Sequence, residues 1–377
     1  MNQTLSIPTE DAVEYMFERG WTDGLPVIPP TRDKVSAMLA AGGREADELL
    51  GSVPARRRSV SAEILAANAV MAGCRPEYFP IVVTAMEAVL DPAFNVNAVA
   101  TSTGGATVCM MVSGPMVSQI GMNGGHNAMG PGNRANATIG RAIRLTMANA
   151  LGAKSGMLDA SSLGHPGKYT FCFAERAPVD PWLPLNVRMG YTADDTTVTI
   201  LAAEGPRQVS NHLNEDPESV LLTFVAAMKA PSNFIVGKGG QVAIVMGYEH
   251  ELALRQAGWT QDKAVDFLVE HSRVTLAELE GGGIALDTAQ HNMQPGPDGK
   301  YPVVKSAEDI ILVSAGGPGS GWSAMIPTWA PTIHTRALTR RVRPVGEAQP
   351  DCGEAGCEVP WLRNSTLTSK ENEHDND

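Results

Sequence analysis

Gly104-Gly-Ala-Thr-Val-Cys-Met-Met-Val-Ser-Gly114 is an unbroken apolar run between glycines, the form expected of a strand buried on both faces. Gly239-Gly-Gln-Val-Ala-Ile-Val-Met-Gly247 repeats that form, and helical periodicity follows it over 249–256 and 261–271. A third instance, Asp309-Ile-Ile-Leu-Val-Ser-Ala-Gly-Gly317, runs into another glycine loop. Strand, glycine loop and helix in succession predict an α/β fold built on a mixed or parallel sheet. Three such units leave two readings open: an internal repeat with pseudo-symmetry, or a composition that short buried strands share. Asp195-Thr-Thr-Val-Thr-Ile-Leu-Ala-Ala203 alternates in part and reads as a strand of the same sheet or its edge.

Upstream of these units the pattern is helical. Thr9 caps a helix to about residue 19, closed by Gly20, and Thr31 starts a second to about residue 41. Ser61 starts a third to about Gly73, and a fourth opens on Pro76, where a missing N–H costs nothing, and runs to about residue 89. The expected organisation is a mainly helical region over 1–95, an α/β catalytic body over 96–344 and an acidic tail over 345–377, whose polar composition predicts disorder.

The 377 residues are enough to bury a large core without disulfides. Five scattered cysteines and no visible secretory signal point to a reducing, cytoplasmic setting. No apolar run reaches the roughly 20 residues of a membrane helix. A net charge of −12 argues against nucleic acid as a partner, and the short basic cluster at Arg56–Arg58 reads as a solvated turn. The partners to expect are a small-molecule substrate and, as an open possibility, further copies of the chain. With 38 glycines and few aromatics, chemistry is sought in the loops.

Three constellations stand out. In Gly124-Gly-His-Asn-Ala-Met-Gly-Pro-Gly-Asn-Arg-Ala-Asn-Ala-Thr-Ile-Gly-Arg141, Asn133 caps a helix that carries Arg134, Thr138 and Arg141 on one face. That arrangement suits an anionic group, and the alternative is a capped surface helix with a solvated stripe. His126 is a candidate for proton transfer there, with Asn127, Asn133, Arg134 and Arg141 as substrate ligands. In Gly164-His-Pro-Gly-Lys-Tyr-Thr-Phe-Cys-Phe-Ala-Glu175, His165 and Lys168 precede a short strand that places Thr170 and Cys172 on one face. His165 is a second candidate for proton transfer, Lys168 a candidate substrate ligand, and Cys172 a candidate nucleophile if His165, His126 or Lys168 lies beside it and a structural cysteine otherwise; Cys109, inside an apolar strand, belongs to the core. In Gly316-Gly-Pro-Gly-Ser-Gly-Trp-Ser323, Gly317, Ser320 and Ser323 are candidate substrate contacts at a strand end, although neither serine lies in Gly-x-Ser-x-Gly. His126, His165, His250 and His291 lack metal-ligand spacing, Cys352 and Cys357 read as exposed thiols, and Asp23 reads as a structural cap. The pattern names no cofactor.

Residues 20–31 and the strings around Arg134, Cys172 and Ser320 resemble those of bacterial proteins identified as the UGSC-type (seleno)protein family, over about residues 10–340. The tetrapeptide of that name is absent here, so the resemblance implies no catalytic residue. The expected function is a soluble enzyme acting on a small polar or anionic substrate by His- or Cys-assisted hydrolysis, elimination or thiol-redox chemistry. The alternative is a non-catalytic binding or scaffold subunit of a redox or catalytic partner.

Overall fold

The computed structural model describes residue 8 and residues 11–212, 215–230, 232–284 and 293–346. Thr9, His291, Cys352, Cys357 and most of the acidic tail lie outside them. The predicted helices are α1 Ala12–Glu18, α2 Arg32–Gly42, α3 Ala62–Ala72 and α4 Phe79–Val89. Their ends follow from local chemistry. Ser61 accepts the Ile64 N–H at the start of α3, and Gly73, at φ +95°, adopts the left-handed conformation that closes it. Helix α5, Arg134–Asn149, is capped by the Asn133 side chain, which accepts the Asn136 N–H at 3.0 Å.

Two four-stranded sheets form the body, with strands β1 Thr107–Ser113, β2 Cys172–Ala174, β3 Thr197–Ala203, β4 Arg207–Ser210, β5 Val242–Met246, β6 Ile310–Ser314, β7 Trp322–Pro327 and β8 Leu338–Arg341. The first sheet is ordered β8-β3-β1-β2 and the second β4-β7-β5-β6. In each sheet one pair is parallel, β1 with β2 and β5 with β6, and the remaining pairs are antiparallel. The edge strands are exchanged: β4 follows β3 but joins the second sheet, and β8 follows β7 but joins the first. The fold is therefore α/β with mixed sheets, and β3 is central rather than an edge.

Alternation along each strand explains the layers. Val108, Met110 and Val112 face a core shared with Leu65, Ala69, Ile81, Ala85, Ile139 and Ile143 of α3, α4 and α5. Cys109 and Met111 point the other way, into a second core with Phe173, Leu201, Val245, Val313 and Ile326 between the two sheets. On the far side, Ile244 and Leu312 pack against helices α6 Pro217–Lys229, α7 Tyr248–Gln256 and α8 Gln261–His271. Each central strand is thus covered by helices on one face and by the other sheet on the other, which is why its sequence is continuously apolar. The first ninety residues share their core with the first sheet. A hairpin of Leu49–Val53 with Arg58–Ser61 interrupts them, and Arg56 is engaged rather than solvated, donating to the Asn97 side chain and backbone. No helix among the described residues is long and apolar enough to cross a membrane.

Candidate functional site

The sandwich has two ends. At one, the C-termini of β1, β2, β5 and β6 meet. At the other, the N-termini of β1 and β2 meet the C-termini of β3 and β7, and the two sheets join there: Glu204 N–H donates to the Pro327 carbonyl and Trp329 N–H to the Ala202 carbonyl. A cleft of about 760 Å³ opens at this second end, lined by Gly104, Gly105, His165, Glu204, Trp329 and His334 among others. That volume is in the range of small-molecule sites.

Glycines admit the His165 ring. A Cβ added to Gly105 would lie 3.3 Å from its Cδ2, and one added to Gly167 only 2.7 Å from its Cε1. His165 Nδ1 accepts the Gly167 N–H at 3.2 Å, which fixes the neutral ring with its proton on Nε2. Nε2 is shielded from solvent and has no hydrogen-bond partner, although the Gly105 backbone is near enough to favour the protonated ring. Burial, and then the Lys168 charge, outweigh that and push the His165 pKa down, so the ring is uncharged at neutral pH.

Below the ring, Asp159 ties the cleft wall to α5. Its carboxylate accepts from Lys168 Nζ at 2.8 and 2.7 Å, from Arg144 at 2.5 Å and from Ser161 Oγ at 2.7 Å, while Ser161 Oγ also lies 2.8 Å from the Gly104 carbonyl. Burial opposes ionisation of Asp159, but Lys168, Ser161 and Arg144 overcome it and hold its pKa at about 2. Lys168 is thus committed to Asp159. At Glu204, which also lines the cleft, burial pushes the carboxyl pKa up, against the lowering effect of Arg207 at 3.3 Å and a backbone hydrogen bond from Phe234.

The other sequence-predicted residues lie elsewhere. His126 is at the opposite end of the sandwich, exposed and packed on Gly317, where an added Cβ would come within 2.4 Å of its ring. Strand β1 alone separates the two ends by roughly 20 Å at the usual rise per residue, so His126 and His165 do not share a site. Asn127, at φ +58°, donates to the Pro131 carbonyl and shapes its own loop. Ser320 Oγ pairs with His212 Nδ1 at 2.6 Å. Ser323 lies in β7, buried, with Oγ 2.7 Å from His250 Nδ1 and accepting the Gly247 N–H.

At the candidate anion cradle on α5 both arginines contact protein groups, with Arg134 remaining exposed. Arg134 donates to the Gly73 carbonyl at the end of α3. Arg141 grips Asp23 with two hydrogen bonds of 2.8 Å and donates to the Pro26 carbonyl, so its charge fastens the loop at residues 20–31. Asn133 is a helix cap. Cys172 is buried against the helical layer, and burial, with the Cys74 thiol beside it, pushes its pKa up; no base activates it. Cys74, Cys109 and Cys172 are all free and buried. Among the described residues no three His, Cys, Asp or Glu side chains are grouped to hold a metal ion.

Sequence reading missed Glu204, Trp329 and Asp159. A signal was present: Ala203-Glu-Gly-Pro206 and Thr328-Trp-Ala-Pro331 end two apolar runs in the same manner. A scan against protein-family models found no matching family, and a search of curated proteins found no matching relative.

Proposed function

We propose that the protein is an enzyme that transfers a proton on a small polar molecule held in the cleft at His165, in a hydrolytic or eliminating reaction. The observation that carries this reading is a ligand-sized cleft containing a carboxyl group, Glu204, held above the ordinary carboxylate range by burial. Such a group gives and takes protons nearer neutral pH than a solvated glutamate does. Neutral His165 lines the same cleft, its ring beside Gly205, and the Asp159 network fixes the turn on which it sits. Thiol-redox chemistry draws no support from Cys172, whose thiol is buried away from the cleft, and the resemblance to UGSC-type proteins adds no residue.

The test is to identify the small molecules that the native protein retains and to assay their turnover. Glu204→Gln should reduce kcat by roughly 10²–10⁴, the usual contribution of a positioned acid or base. Unchanged turnover would remove Glu204 from the chemistry. A second reading, a non-catalytic binding module, is favoured by the inward-turned nitrogens of His165; retention of a ligand without any turnover would select it.

A further inference from the structure

We infer that the cleft takes a small organic amine in its ammonium form, its nitrogen between the Glu204 carboxylate and the Trp329 indole and its hydrocarbon part against Phe234 and Leu163. This rests on the cleft being the functional site and names the class of molecule bound there. The first observation is the charge of the lining. Among the described lining residues Glu204 is the only carboxyl group, and none is a lysine or arginine. Of the cations expected to serve an anion, Arg141 and Lys168 are paired with carboxylates, and Arg134 lies outside the lining.

The second observation is the register where the sheets join. Glu204 stands opposite Pro327 and Trp329 opposite Ala202, so Glu204 and Trp329 project from the same face of the junction as diagonal neighbours, roughly 7–8 Å apart in such a pairing. A carboxylate and an indole at that separation accept an ammonium between them, the carboxylate by charge and the indole through its electron-rich face. The remaining wall is apolar: Leu163 is 98 % exposed and Phe234 44 %, and Pro331 and Ala98 complete it.

The charged and titratable groups around Glu204 are few. Arg207 approaches it at 3.3 Å from β4 but also donates to Ser232. Lys238 stacks on the Phe234 ring, 3.4 Å from its centroid, outside the lining. His165 and His334 line the cleft. Because burial favours the protonated form of Glu204, an ammonium that requires the carboxylate expels a proton as it binds.

The experiment is calorimetric titration of the full chain with benzylamine, benzyl alcohol and benzoate, at about pH 5 where benzylamine is fully charged. Two buffers of different ionisation enthalpy report proton release. Benzylamine should bind at least roughly tenfold more tightly than either comparator, with proton release. Glu204→Gln and Trp329→Leu should each weaken it by roughly tenfold or more, and Glu204→Gln should abolish the release. Thermal melts establish that the variants are folded, and Glu204→Asp, which keeps the charge, should retain part of the affinity if Glu204→Gln does not fold. Benzoate binding as tightly as benzylamine, no binding by any of the three, or benzylamine binding indifferent to Glu204 would each overturn the inference. Benzylamine binding as described, together with turnover indifferent to Glu204, would reject the proton-transfer reading and leave the ligand class standing.

Discussion

Replacing Glu175 by glutamine should stabilise the protein above neutral pH. Glu175 follows β2 and is 6 % exposed. One carboxyl oxygen contacts Ser113 Oγ, and the Leu185 N–H donates to the same carboxyl at 2.9 Å. Ser113 Oγ also faces Asn186 Oδ1 at 3.0 Å, because Asn186 Nδ2 donates to the Thr192 and Asp195 carbonyls. A single hydroxyl hydrogen cannot serve both oxygens, so a proton on Glu175 completes the network. Burial pushes the Glu175 pKa up from 4.5 to about 7, against the lowering effects of Ser113, Leu185 and Arg188. The sign follows: the folded state binds this proton more tightly than the unfolded chain, so the stabilisation is full below pH 4.5 and is lost as pH rises through about 7. The loss amounts to about 3 kcal/mol. Glu175→Gln, a mimic of the protonated form, should match the wild type in urea melts at about pH 4 and exceed it by up to about 3 kcal/mol at pH 8. A variant less stable than the wild type at pH 8 would show instead that Glu175 is held as a carboxylate.

Asp159→Asn should cost about 3–5 kcal/mol, because it strips Lys168 and Arg144 of their buried partner. The wild-type carboxylate's contribution, present above the ordinary carboxylate range, should fade as pH falls toward about 2; an unchanged melting temperature in the variant would show that Asp159 does not tie the wall. Arg141→Ala should lower stability by about 1.5–3 kcal/mol through its lost contacts to Asp23 while leaving ligand affinity in the cleft intact, and a selective loss of affinity would restore the anion-site reading. Native Cys172 should resist a thiol reagent and react only after denaturation, so rapid labelling, located by peptide mass spectrometry, would contradict its burial.

Much of the layer structure was legible in the sequence because burial on both faces leaves a plain mark. The runs at 104–114, 239–247 and 309–317 each hold a parallel strand, and the caps at Ser61 and Asn133 act as the residue types predict. Strands β4, β7 and β8 were not seen. Each is placed by pairing with a chain segment distant in sequence, and β7 opens on a tryptophan and a serine that read as loop. The site was half legible for a related reason. His165 and its glycines form a local unit, and local units can be read. Which side chains converge from separate loops is decided by the exchange of β4 and β8, so His126 was grouped with His165 although they occupy opposite ends. Arg141 was misread because its partner, Asp23, lies 118 residues away.

The claim that the cleft joining the two sheets is the functional site, rather than the loops around His126 and Ser320, is tested most directly by ligand retention. Mass spectrometry of small molecules released from purified wild type, Glu204→Gln, Trp329→Leu and His126→Ala would compare the two ends of the molecule in one measurement. The retained molecule should be lost from Glu204→Gln and Trp329→Leu and kept by His126→Ala. Loss in His126→Ala alone, with full retention in the two cleft variants, would contradict that claim.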